Sequence, residues 1–387
     1  MTEGRKLVAY VGPYSFPNGG AAARRIYGNC RSLQCAGYDV VVSSGQLSDS
    51  PIQDYNGIPV VSLNERRHER LPTLLKHLMY FTAGQSTVRW LESLERKPDA
   101  VILYSGYSPY LIRLLPWARK NNVKLIFDAV EWYDPPGLIS KFLSPYFLNI
   151  ELAMRVLIKR CDGLIVISEY LKKYYMPHFK NIIKVPPTAS FDVNGFASSA
   201  ERNEPVTFVY AGTPGKKDSL SSIVSAVLSA HDAGRNVELH IAGISREKLS
   251  EYTPPTGFSQ AVIDTVVKCH GVLSHSDTVD LVGRSDYSVI IRPNIRSVQA
   301  GFPTKFVESM ALGTPVVANI TSDLDTYLVD GVNGLVCPDS DIDSLVNVID
   351  RAVDLALDGA LRAKAKETAD AYFSPENYAE EFKNLIG

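Results

Sequence analysis

No apolar run in this sequence reaches the roughly 18 residues that a membrane-spanning helix needs, and the opening KLVAYVGP is too short and too soon broken for a signal peptide. A cytosolic protein is expected. Cysteine is sparse and odd in number: Cys30, Cys35, Cys161, Cys269 and Cys337 are scattered without a C-x-x-C, which argues against a disulfide framework or a zinc knuckle. They read as reduced, mostly buried thiols. The seven histidines contain no H-x-x-x-H pair, so no protein-built metal site is expected. The G-x-G-x-x-G fingerprint and the Walker lysine pattern are both missing, which disfavours a nicotinamide enzyme or a P-loop ATPase.

What is present is ordinary in composition and unusual in distribution. The 387 residues exceed what one core normally serves and predict two domains; 45% hydrophobic and 21% charged residues suit a globular protein. The net charge of -2 conceals 24 Lys+Arg against 16 Asp+Glu from Met1 to Asp192, and 16 against 26 in the remainder. A basic half beside an acidic half suggests that the first meets an anionic partner such as a membrane surface or nucleic acid.

Both halves open as strand, glycine loop and helix. KLVAYVGP leads through YSFPNGG into AAARRIYGNCRSLQCAG, and PVTFVYAGT leads through PGKKD into SLSSIVSAVLSAHDAG. Apolar runs then alternate with amphipathic segments: YDVVVSS, DAVILYS, VKLIFDA and DGLIVIS in the first half, VELHIAG, DYSVIIR and TPVVAN in the second. Strands apolar throughout, alternating with helices, predict an α/β fold of two doubly wound parallel sheets. TASFDVNGFASSAERNEP, rich in small, polar and turn residues, reads as the linker, dividing the chain near Asp192. Two such Rossmann-like domains facing a cleft would bind a ligand at the carboxyl ends of their strands.

One lysine stands out. In AGFPTKFVESMALGTPVVAN, Phe306, Val307, Met310, Ala311 and Leu312 have helical spacing, Pro303 precedes the first turn, and Gly313 with Pro315 ends the helix. Lys305 then lies in the first turn, where the helix dipole disfavours a cation, and precedes Glu308 in the weaker order for such a pair. A bound anion removes the conflict. Helix N-termini with lysines nearby bind anions, and AGTPGKKD puts Lys216 and Lys217 after a strand and before another helix, while Gly301, Phe302, Pro303 and Thr304 form an amide-rich turn ahead of Lys305. A diphosphate held by these two loops would suit Lys305, with Glu308 accepting from sugar or ribose hydroxyls. A solvated Lys–Glu pair is the competing explanation, and for Gly19 and Gly20 a plain turn is the favoured reading from the residues alone.

AGFPTKFVESMALGTPVVAN followed by DGVNGLV resembles the donor-site signature of family-4 retaining glycosyltransferases of the GT-B fold. GYDVVV, RCDGLIVISEYLKKYY, FVYAGTPGKKDSL and CHGVLSHSDTVDLVGRSDYSVIIR resemble that family's successive elements in order, so the likeness spans most of the chain. It implies a ribose-contacting role for Glu308, a diphosphate role for Lys217, a nucleobase loop around Gly271 and Val272, a donor loop at Gly212, and an N-domain glycine loop at Gly19 and Gly20. It also implies transfer with retention, and a last helix, in PENYAEEFKNLIG, crossing back onto the first domain. Two departures bear on the donor: Ala300 stands where relatives carry a second glutamate, and Thr213 follows Gly212 where they carry an arginine. Lys305, with Arg292 at the end of DYSVIIR, is expected to supply the missing phosphate charge.

The expected reaction is transfer of a sugar from a nucleotide-diphosphate donor to a glycan or lipid-diphosphate-linked acceptor, in polysaccharide assembly, with no cofactor, no metal and no nucleic-acid partner. Lysines and helix amides can stabilise the departing diphosphate without a cation. The acidic turns at Asp323 to Asp325 and near Asp341 are read as solvated. On the acceptor side, FDAVEWYDPP places Asp128, Glu131 and Trp132 just past a predicted strand; Asp128 or Glu131 could orient an acceptor hydroxyl, and capping or turn roles stand beside that reading. NERRHERLPTLLKHLMYF and LISKFLSPYFLNIELAMRVLIKR mix basic and large apolar residues as membrane-surface elements do, and interior helix faces fit them as well. Two rivals share the pattern: a GT-B isomerase or phosphorylase, and a non-catalytic nucleotide-sugar binder.

Overall fold

The computed structural model of the protein describes residues 4–48, 52–66, 81–105, 107–134, 145–189, 204–254, 257–356 and 359–387. The chain forms two compact units. The first comprises Met1–Thr188, Ala300–Phe302 and Pro375–Gly387; the second comprises Ala189–Gln299 and Pro303–Ser374. The division read near Asp192 and most of the linker segment lie outside the described residues.

The first unit contains β1 (Leu7–Gly12), β2 (Asp39–Ser44), β3 (Ile52–Tyr55), β4 (Ile58–Ser62), β5 (Ala100–Tyr104), β6 (Lys124–Ala129), β7 (Gly163–Val166) and β8 (Ile182–Lys184). They pair in the order β3-β4-β2-β1-β5-β6-β7-β8, parallel except for β3 against β4. The helix Gly20–Cys35 follows β1 and turns Ala23, Ile26, Cys30 and Leu33 into the core, the 3.6-residue stripe expected of a helix covering a sheet. Phe382, Leu385 and Ile386, from the final helix Ala379–Ile386, join the same cluster. Each such fully buried side chain contributes about 1.5–3 kcal/mol.

The second unit contains β9 (Val206–Ala211), β10 (Val237–Ala242), β11 (Val267–Cys269), β12 (Tyr287–Ile290), β13 (Val316–Asn319) and β14 (Gly334–Cys337). All are parallel, in the order β11-β10-β9-β12-β13-β14. The helix Leu220–Asp232 buries Leu220, Ile223, Val224, Val227 and Leu228 against this sheet.

In both sheets the chain winds outward in one direction and then in the other, and the reversal leaves a crevice at the carboxyl ends of two neighbouring strands. These ends belong to β1 and β5 in the first unit and to β9 and β12 in the second.

Candidate active site

At the crevice of the second unit, three loops after adjacent strands are joined through their main chains. Gly212 N donates to Ala242 O at 2.7 Å, Gly243 N to Gly271 O at 2.7 Å, and Gly271 N to Ile244 O at 3.1 Å. Gly212 and Gly243 have φ of 135° and 122°, and a Cβ on Gly243 would lie 2.3 Å from Gly212 O. Only glycine allows this approach, because the obstacle is backbone. A Cβ on Gly212 would meet Lys305 Cε at 2.7 Å, so the Lys305 side chain lies directly over the turn that ends β9.

Lys305 is the second residue of the helix Thr304–Ala311, whose N-cap residue, Pro303, makes no side-chain cap bond. Its Nζ lies 3.5 Å from Asp218 Oδ2 and 3.9 Å from the centroid of the Tyr210 ring. Burial, opposed by Asp218 and reinforced by the nearby Arg292, pulls its pKa down from the ordinary lysine value to about 8. Arg292 follows β12 and is 9% exposed; its Nε donates to Lys217 O at 3.2 Å. Its backbone is clamped by Asn319, which accepts from Arg292 N at 2.9 Å and donates to Arg292 O at 2.8 Å. Arg292 is thus close enough to repel the Lys305 ammonium, which Asp218 attracts more strongly than Arg292 repels. Such an arrangement is a candidate anion site.

The crevice of the first unit differs. A pocket of about 460 Å³ opens beyond β1, β5 and β6, walled by Tyr14, Tyr104, Tyr107, Tyr133 and Tyr146, with Glu131 and Arg66 as its charged lining. Gly19 precedes the helix that borders it, and a Cβ there would lie 1.9 Å from Ser15 O. Strand alternation assigns β6 to two environments: Phe127 and Ala129 line the pocket, and Asp128 between them turns to the other face. There Asp128 is 0% exposed and accepts from Arg25 Nη2 at 2.6 Å and Nε at 3.0 Å, from the Tyr10 hydroxyl, and from Asn29 Nδ2 at 3.3 Å.

Both halves of the sequence match known families. Residues 20–179 match the glycosyl transferase 4-like domain, and residues 194–371 match glycosyl transferases group 1. The chain belongs to the family-4 glycosyltransferases of the GT-B fold. Among solved structures, sucrose-phosphate synthase from Thermosynechococcus elongatus is similar at 16% identity, with a TM-score of 0.72 and 98% of each chain covered. The catalytic domain of starch synthase IV from Arabidopsis thaliana, bound to ADP and acarbose, gives 12% identity and a TM-score of 0.70 over 99% of each chain. Anabaena HepE, in complex with UDP and glucose, gives 13% and 0.63 over 99% of each. No curated protein sequence matches the chain. Glycosyl transfer from a nucleotide sugar is the activity these matches support.

The residues singled out in this glycosyltransferase's sequence fall into three groups. Lys305, Arg292, Gly212 and the Lys217 carbonyl converge at the second unit's crevice, with Glu308 one turn beyond Lys305 and close enough for its charge to act on that ammonium. Gly271 is laced to the same loops, Val272 beside it is 88% exposed, and Thr213 and Lys216 are exposed on the β9 loop. A second group divides along the chain. Gly301 and Phe302 belong to the first unit, where Ser168 Oγ donates to Ala300 O at 2.8 Å; Pro303 and Thr304 begin the helix of the second.

The third group is on the acceptor side. Glu131 lines the pocket, and Gly19 with Gly20 begins the helix beside it. Asp128 requires correction: it lies within β6, not past it, and is sealed in an ion pair with Arg25 that leaves it no surface for an acceptor. Trp132 is buried too, donating from Nε1 to Glu151 at 2.8 Å. Of the acidic turns only Asp323 needs revision, being 5% exposed; Asp325 and Asp341 are exposed, and Asp341 also caps the helix Ile342–Leu355, accepting from Ser344 N at 2.8 Å. Sequence reasoning missed Gly243, Asp218, Tyr210, Asn319 and the pocket tyrosines. The run LYSGYSPY at the end of an apolar strand was the readable signal for two of these, Tyr104 and Tyr107.

Proposed function

We propose that the protein moves a sugar from a nucleotide-diphosphate donor to a hydroxyl of a glycan or lipid-linked acceptor, with retention, in cell-surface polysaccharide assembly. The observation that carries this reading is the convergence of Lys305 and Arg292 on the glycine-laced end of β9. A diphosphate there would add an attraction to each cation, beside the Lys305–Asp218 pair, at the positive end of the helix dipole. Similar solved structures hold UDP or ADP, which agrees with a nucleoside diphosphate at this position. Gly271 and Val272 would flank the base, and Glu308 would accept from ribose.

During transfer, the acceptor oxygen bonds to the anomeric carbon as the anomeric bond to the diphosphate breaks. The acceptor proton passes to the leaving phosphate oxygen. Charge grows on the diphosphate in the transition state, so preorganised cations at Lys305, Lys217 and Arg292 favour the transition state over the ground state. These three supply the charge a divalent ion would supply elsewhere, and turnover is proposed to be independent of metal.

A membrane surface is the proposed setting of the first unit. The segment Pro145–Arg160 exposes Leu148, Leu152 and Val156 on a face shared with Arg155 and Arg160, the mixture that anionic lipid attracts. Residues 138–144 of this segment, and 67–80 of the other basic-apolar stretch, lie outside the described residues.

Incubation with a panel of nucleotide sugars tests the reading. Hydrolysis or transfer from one of them is expected. Isomerised sugar, phosphate-dependent breakdown, or binding without turnover would each replace it with a different function.

A further inference from the structure

The pocket of the first unit discriminates between acceptor chemistries. Among side chains, clustered guanidinium or ammonium groups are the strong phosphate ligands. Among the described residues the charged lining is Arg66, whose Nη1 donates to Ser15 Oγ at 2.8 Å, and Glu131, whose carboxylate would repel an incoming phosphate. The rest of the described wall joins tyrosine rings to small and aliphatic residues, with Gly19, Ala21 and Ala22 coming from the start of the helix Gly20–Cys35. Tyr107 and Tyr146 meet at 6.3 Å between centroids, Tyr14 and Tyr104 at 5.6 Å, and Tyr133 and Tyr146 remain 41% and 46% exposed at the opening. Burial and the charge of Glu131 push the Tyr133 phenol upward, and burial with Tyr107 does the same for Tyr146, so both stay protonated, Tyr133 hydrogen-bonded with Glu131 and Tyr146 with Tyr107. Flat apolar faces beside phenols and one carboxylate complement a molecule with apolar C–H faces and many hydroxyls. The volume lies within the range of sites that enclose a small molecule.

We infer that this pocket takes the terminal ring of a neutral pyranoside as the acceptor, with an apolar sugar face against Tyr146 and Tyr107 and a hydroxyl on Glu131, in preference to a sugar phosphate or a lipid phosphate. The inference rests on the glycosyltransferase reading and narrows its acceptor. Any diphosphate of a lipid-linked acceptor then stays outside the pocket.

The test is calorimetric titration of the full chain with methyl glucoside, methyl galactoside, methyl mannoside, glucose 6-phosphate and, separately, UDP, ADP and GDP. At least one neutral glycoside should bind. Tyr146→Ala should weaken it about 3- to 10-fold, Tyr146→Phe by less than about 2-fold, and Glu131→Gln measurably, with nucleotide affinity unchanged in all three. Tyr146 is half exposed, so its truncation leaves folding intact, and an unchanged melting temperature verifies this. Failure of every neutral glycoside to bind, equal or tighter binding of glucose 6-phosphate, or indifference to Tyr146→Ala overturns the inference. Glycoside binding by a protein that turns over no nucleotide sugar would instead remove the transferase reading and leave the pocket assignment intact.

Discussion

The two crevices sit at equivalent places in two sheets of similar winding and are furnished in opposite ways. The second unit's is lined by glycine backbone and cations; the first unit's is lined by tyrosine rings, with one arginine set against one glutamate. Total charge points the other way, since the first half of the sequence is the basic one and the second is acidic. Local charge thus diverges from total charge: Lys305 and Arg292 gather inside an acidic half, and part of the basic half's excess lies at exposed Arg160. The scaffold determines where a ligand goes, and the loops determine which ligand it is.

The sharpest way to break this contrast is to remove its charges. Asp128→Ala would strand Arg25 in the core, and a loss of about 3–5 kcal/mol is expected in denaturant unfolding, because an unpaired buried charge is the costly product. Nucleotide affinity of the folded fraction should not change. Lys305→Ala should lower kcat/KM for donor turnover by about 10²–10³, with neutral-glycoside binding untouched. Equal losses at both sites would show that the crevices are not independent. Gly243→Ala pushes a methyl into Gly212 O and should cost about 1–3 kcal/mol of stability along with nucleotide affinity, measured by thermal shift with and without ADP or UDP. A smaller effect is expected from pH. Lys305 carries its charge below about 8 and loses it above, so nucleotide affinity should decline as pH rises through that value. Lys305→Arg should flatten the decline. The mildest change is Leu152→Ser on the exposed face, which should weaken flotation with anionic vesicles a few-fold and leave neutral vesicles indifferent.

Much of this was legible in the residues. The strands of the sheet centres read directly, because apolar runs buried on both faces leave a continuous signature. The hairpin of β3 and β4 was missed although Asn56 and Gly57, with φ of 52° and 77°, are a turn signal between alternating segments; β8 and β11, at three residues each, offer too little pattern. Lys305 could be singled out because helical register made it anomalous. Gly243 could not, since its requirement comes from Gly212 O, a partner more than thirty residues away that no local pattern reveals. Asp128 illustrates the cost of a single residue: placed just past a strand it faces a ligand, and placed within it the alternation of faces buries it against Arg25.

The central claim is that a diphosphate occupies the space over Gly212 where Lys305 and Arg292 meet. Titration of the Lys305 ammonium by side-chain NMR, with and without the nucleotide that stabilises the protein best, tests it most directly. The account predicts a value of about 8 in the free protein and a clear rise on nucleotide binding, since an adjacent anion favours the charged form. A nucleotide that binds and leaves the titration of Lys305 unmoved would contradict it.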